Sequence, residues 1–110
     1  MHISHDILQE QIVKYCKNNN IYHISNRNES SRKDWAKAKL LGIQEGASDL
    51  EIKLGDKHFF LEIKVGRDKQ RESQIEFQKY VESFGYKYLI ISSFEQFLEL
   101  VNENRVFFMA

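Results

Sequence analysis

The sequence predicts an α/β fold, a mixed β-sheet flanked by helices. Three observations carry that prediction. Segments with helical spacing alternate with strand-patterned ones, in the order helix, strand, helix, hairpin, helix, strand, helix. A helix separates the hairpin from the next strand, and such a crossover favours a parallel neighbour. That next strand, inside YKYLIIS at 86–92, is the continuous apolar run of a buried strand.

Taken in order, residues 4–18 have the spacing of a helix, with Leu8, Ile12, Tyr15 and Cys16 recurring on one side and Ser4 or Asp6 available as its cap. The asparagine run at 18–20 ends it, and IYHIS at 21–25 is a short strand. Polar, turn-forming residues make SNRNESSRK at 25–33 a loop. A second helix is expected over 30–42, closed by Gly42. Strands are expected at 48–54 and 57–65, joined by a two-residue loop at Gly55-Asp56, where glycine accepts positive φ. A third helix is expected over 68–85 with Phe77, Tyr80, Val81 and Phe84 as its apolar stripe and Gly85 as its stop. SFEQFLELVNEN is the last helix, and RVFFM has the pattern of an edge strand.

At 110 residues the chain predicts one domain, 1–110. With 42% hydrophobic and 13% aromatic residues it can build a core, which excludes a disordered chain. No apolar run approaches the roughly 18 residues that cross a membrane. The N-terminal MHISHDILQEQ lacks a basic-then-apolar signal, and the one cysteine, Cys16, allows neither an internal disulfide nor a cysteine-built zinc site. A cytoplasmic location is the expectation. The 16 basic and 16 acidic residues balance, which counts against a protein that coats nucleic acid non-specifically but leaves room for a local basic groove. His2, His5, His23 and His58 have no zinc-like spacing and read as structural.

The chemistry lies in GASDLEIKLGDKHFFLEIK at 46–64. A two-residue loop sets Leu50 opposite Leu61 and Ile52 opposite Phe59 on the core side. On the other side Glu51 faces Phe60, Lys53 faces His58, and Asp49 faces Glu62. Lys64, two residues beyond Glu62, shares that side. Directly opposed like charges destabilise a sheet. A divalent cation between them resolves the repulsion, and one or two carboxylates suit Mg²⁺ or Mn²⁺ with positions left for water and a phosphate. The residue pattern alone leaves a second reading open, an exposed acidic pair with Lys64 neutralising Glu62.

Asp49 followed by Glu62-Ile63-Lys64 resembles the signature of the PD-(D/E)XK nuclease superfamily, and the wording resembles its VRR-NUC branch. KAKLLGIQEGASDL is similar to that family's approach to the first acid. FLEIKVGRDKQRESQIEFQKYVESFGYKYLIISS is similar to its Glu-x-Lys strand, glutamine-bearing helix, Gly-aromatic turn and apolar strand. The match spans roughly residues 6–93. The resemblance implies a restriction-endonuclease-like core in which Asp49, Glu62 and the main-chain carbonyl of Ile63 ligate the metal. By the same resemblance Lys64 positions the attacking water and Gln74 lines the site, with Gln78 one turn further on the same face. The family's first helix usually brings an acid. Asp6 and Glu10 both qualify, and Glu10, one turn deeper, is the choice. Ser48 replaces the usual proline before the first acid, and Arg71 the usual short residue at the start of the third helix, where Asp68 offers a cap instead.

Two basic segments flank these residues. Arg27, Arg32, Lys33, Lys37 and Lys39 stand against two acids, and Lys64, Arg67, Lys69 and Arg71 against one. Trp35 lies beside the first set. Singly each base reads as a solvated surface residue; as two patches beside an acid pair they suggest phosphate contact. The expected activity is that of a metal-dependent DNA endonuclease, with branched or duplex DNA as partner. A small domain has one active site, so cutting both strands implies a homodimer. Small free-standing relatives resemble Holliday-junction resolvases and are frequent in phage and bacterial genomes. The competing expectations are a non-catalytic nucleic-acid-binding module that kept the fold and a small α/β interaction protein.

Overall fold

The computed structural model describes residues 3–26 and 46–104. Helix α1 (His5–Asn18) starts at Ser4, whose Oγ accepts the Ile7 N–H at 3.2 Å, so the serine rather than Asp6 is the cap. Its buried residues are Leu8, Ile12 and Cys16. Burial pushes the Cys16 thiol up to about 11, which leaves it unreactive. Asn20, at φ +55, turns the chain into β1 (Tyr22–Ser25). The hairpin follows as β2 (Leu50–Leu54) and β3 (Lys57–Ile63), then α2 (Glu72–Ser83), β4 (Lys87–Ile91) and α3 (Phe94–Glu103). Ser93 caps α3 by accepting the Gln96 N–H.

The four strands form one sheet in the order β1-β2-β3-β4. β1 with β2 and β2 with β3 are antiparallel, while β3 with β4 is parallel, so the sheet is mixed and α2 is its crossover. The hairpin has the register read from its loop: Leu50 opposite Leu61, Ile52 opposite Phe59, Lys53 opposite His58 and Leu54 opposite Lys57. Gly55 sits at φ +65, as a two-residue loop requires.

Strand alternation then divides the molecule. Leu50, Ile52, Leu54, Phe59, Leu61 and Ile63 pack with Leu8, Ile12 and Cys16 of α1 and Phe97, Leu100 and Val101 of α3. On the opposite face Phe60 and Tyr88 meet Val81, with Phe77 against them, so α2 covers that side. No helix among the described residues is long and apolar enough to cross a membrane.

Three expectations shift. Helix α2 begins at Glu72 rather than Asp68, because Asp68 N–H turns back to the Val65 carbonyl around Gly66 at φ +60. Asp68 is therefore no cap; the Gln74 Oε1 accepts the Arg71 N–H at 2.8 Å instead. Tyr80 and Phe84, expected in the apolar stripe, are 62% and 65% exposed and lie edge to face with each other. They stand one turn apart beside the covered line of Phe77 and Val81. The predicted helix over 30–42 with Trp35, most of the loop at 25–33 and the RVFFM strand lie outside the described residues.

Candidate active site

The site forms where the hairpin stops. β2 begins only at Leu50, so the N–H of Ile63 has no ladder partner on that side; the Asp49 side chain takes it, Oδ2 accepting at 2.8 Å. The Asp49 carbonyl accepts the Asn26 N–H at 2.9 Å and so continues the line of β1. Asp49 is thus held just beyond the strand with its carboxylate turned toward β3. Ser48 before it is fully buried and donates its hydroxyl to the Leu50 carbonyl.

Glu62 projects from β3 on the α2 side and is only 1% exposed. Both its oxygens are hydrogen-bonded. Tyr88 Oη donates to Oε1 and Gln74 Nε2 donates to Oε2, each at 3.2 Å. Gln74, on the first turn of α2, has no freedom to flip. Its Oε1 accepts from Lys64 Nζ at 2.9 Å and from the Arg71 N–H at 2.8 Å, which points the amide nitrogen at Glu62. Behind Tyr88, Gln70 Nε2 donates to the tyrosine oxygen at 3.2 Å and to Gln78 Oε1 at 2.9 Å. The donors Lys64, Gln74, Tyr88 and Gln70 form one network ending on the Glu62 carboxyl.

Burial, then the hydrogen bond and charge of Asp49, push the Glu62 carboxyl from the usual 4.5 up to about 8; the Lys64 ammonium and the Tyr88 hydroxyl pull the other way. The Tyr88 phenol is itself raised by burial and by the Glu62 charge. Glu62 therefore holds a proton that a small divalent cation would displace, and the oxygens of the two acids are the hard donors such a cation takes. The residues present fit Mg²⁺ or Mn²⁺. Among the described residues no group of three or more His, Cys, Asp or Glu side chains is placed to hold an ion.

Asp49, Glu62, Lys64 and Gln74 open onto one cleft of about 360 Å³, with Lys69 and Arg71 among its walls and Asp68 beside them. Arg67 is exposed in the same loop. Gln78, expected to touch DNA, accepts a hydrogen bond from Gln70 Nε2 through its Oε1. Glu10 does not line this cleft; together with Asp6, Lys14 and Lys17 it lines an adjoining groove that shares Gln9 with the cleft. The α1 residues on the cleft are His5 and Gln9, and Glu10 lies one position, about 100°, further round the helix. Arg27, Arg32, Lys33, Lys37 and Lys39 lie outside the described residues.

From the sequence His5 reads as structural, and Asn26, Gln70 and Tyr88 receive no role. His5 Nε2 lies 3.2 Å from Asp49 Oδ2. Tyr88 carried a legible signal: it alternates with Leu89, so on a strand parallel to β3 it faces the side of Glu62. Asn26 Nδ2 donates to Glu51 Oε2 at 2.7 Å, and Glu51 Oε1 lies 3.0 Å from His58 Nε2, so the polar network extends along that sheet face.

No family model and no curated protein matches the sequence. Among solved structures, a VRR_NUC domain protein is similar, with a TM-score of 0.71 and 18% identity over 93% of this chain and 88% of that one. The chain has the fold of a VRR_NUC domain protein.

Proposed function

We propose that this chain is a VRR-NUC nuclease of the PD-(D/E)XK superfamily, a Mg²⁺- or Mn²⁺-dependent endodeoxyribonuclease acting on branched or duplex DNA. The observation that carries the reading is the meeting of a buried carboxyl, Glu62, with Asp49, Lys64 and Gln74 in one cleft. A bound cation supplies Lewis acidity there, polarising a phosphoryl oxygen and lowering the pKa of water. The chain supplies the rest. Asp49 and Glu62 would offer the oxygens that bind it, with Glu62 giving up its proton on binding. Lys64, fixed through Gln74, holds a positive charge over the cleft to orient the attacking water and offset charge developing on phosphorus. Lys69 and Arg71 line the wall where flanking phosphates would run. Contacts of this kind read the shape of the backbone rather than base edges, which supports structure-selective cleavage, with a four-way junction as the first substrate to try. Cleavage of both strands then takes two copies of the chain.

Incubation of a labelled four-way junction with the protein and Mn²⁺ is expected to give nicks, and EDTA to stop them. Glu62→Gln and Lys64→Ala are each expected to lower the nicking rate by about a hundredfold or more. Undiminished nicking by both variants overturns the site. Junction binding without any Mn²⁺ uptake by calorimetry replaces the enzyme with a nucleic-acid-binding module.

A further inference from the structure

His5 has no part in the chemistry above, yet it reaches the first acid. It opens α1, lines the cleft, and brings Nε2 to 3.2 Å from Asp49 Oδ2. An ionised carboxylate only accepts hydrogen bonds, so Nε2 is the donor whenever Asp49 is charged. The same oxygen takes the Ile63 N–H at 2.8 Å. Two donors from two elements, one from the helix and one from the strand, thus tie down Oδ2 and leave Oδ1 as the oxygen they do not hold. The other ring nitrogen, Nδ1, lies 3.7 Å from the exposed Asp6, which steadies the ring only weakly.

Resting on the metal-binding reading of the cleft, we propose that His5 is a positioning residue: it holds the Asp49 carboxylate in the orientation a divalent cation requires. His5 acts through Asp49, since its Nε2 is directed at Asp49 Oδ2. Partners that orient a metal-binding side chain typically change affinity for the metal by 10–100-fold when removed. The first helix then serves the site with an imidazole donor on the acid, in place of an acid of its own.

The test is calorimetric titration of Mn²⁺ into the full chain as wild type, His5→Ala and His5→Gln, with thermal unfolding of each in EDTA. The expected result is about a 10–100-fold weaker Mn²⁺ affinity in His5→Ala. Affinity should largely return in His5→Gln, whose amide can donate to the same oxygen. Unfolding temperatures in EDTA should stay close together, which separates orientation from folding. Equal affinity in wild type and His5→Ala overturns the proposal and leaves the metal site standing. Equal loss in both variants, with lower unfolding temperatures in EDTA, assigns His5 to packing and also overturns it. Failure of the wild type to take up Mn²⁺ removes the metal site itself, and this role with it.

Discussion

A carboxyl group buried as deeply as that of Glu62, against another acid, holds its proton well into the neutral range. The unfolded chain releases that proton near 4.5, whereas the folded chain keeps it up to about 8. Between those two values the folded state binds the extra proton, so in EDTA stability falls as pH rises through the window and levels off above it. Urea unfolding from pH about 5 to about 8.5 measures this, and Glu62→Gln is expected to flatten the decline. A decline unchanged in Glu62→Gln would place its origin in another group. The neutral donors on Glu62, Tyr88 and Gln74, satisfy the carboxyl without supplying a positive charge that would hold it ionised. A structural ion pair would have put Lys64 directly on Glu62; here the lysine is held one residue away, by Gln74 Oε1.

At the scale of elements, the approach to Asp49 is fixed by Gly46. Its φ is +80, and a β-carbon there would press on the Ser73 carbonyl and lie 2.9 Å from the Ser73 β-carbon, at the start of α2. Gly85, at φ +84 after α2, has open space around it. Gly85→Ala is expected to cost only the left-handed backbone strain, about 1–2 kcal/mol. Gly46→Ala adds overpacking of about 1–3 kcal/mol, because backbone rather than a flexible side chain must give way. Urea midpoints of the two variants decide this; equal losses would deny the close approach of the Asp49 segment to α2. The reason the glycine is needed is functional placement. It lets the segment bearing Asp49 press against the turn bearing Gln74. From the residues alone, Gly46 was legible only as part of a motif. Its packing partner lies 27 positions along the chain and leaves no local trace. The hairpin was legible in full, since a two-residue loop sets every pair between Leu50 and Leu61 by short-range geometry.

The whole molecule keeps its two apolar regions apart. The larger joins α1 and α3 to one face of the sheet and contains the fully buried Phe97; the smaller, under α2, holds Phe60, Val81 and Tyr88 with Phe77 partly covered. Phe97→Ala is expected to cost about 3–5 kcal/mol, as deletion of a buried ring does. Phe77→Ala should cost markedly less in urea unfolding, because its ring is already partly in water. The region under α2 also carries Tyr88, Gln74 and Glu62, so the face that contributes less to stability is the one built for the site. Comparable losses in the two variants would contradict this division.

The family resemblance added Gln74; the amino-acid order by itself determined the α/β class, the mixed sheet, the hairpin register and the setting of Asp49, Glu62 and Lys64 on one side. These follow from period-2 and helical spacing and from short loops, all of them properties of near neighbours in the chain. Only the tertiary structure decided which α1 side chain meets the acids, where α2 begins, and what holds the Glu62 carboxyl. His5 reaches Asp49 across 44 positions and Tyr88 reaches Glu62 across 26. Such contacts depend on how packed elements rotate about their axes. A rotation of one residue separates Gln9, which borders both the cleft and the neighbouring groove, from Glu10, which lines the groove and not the cleft.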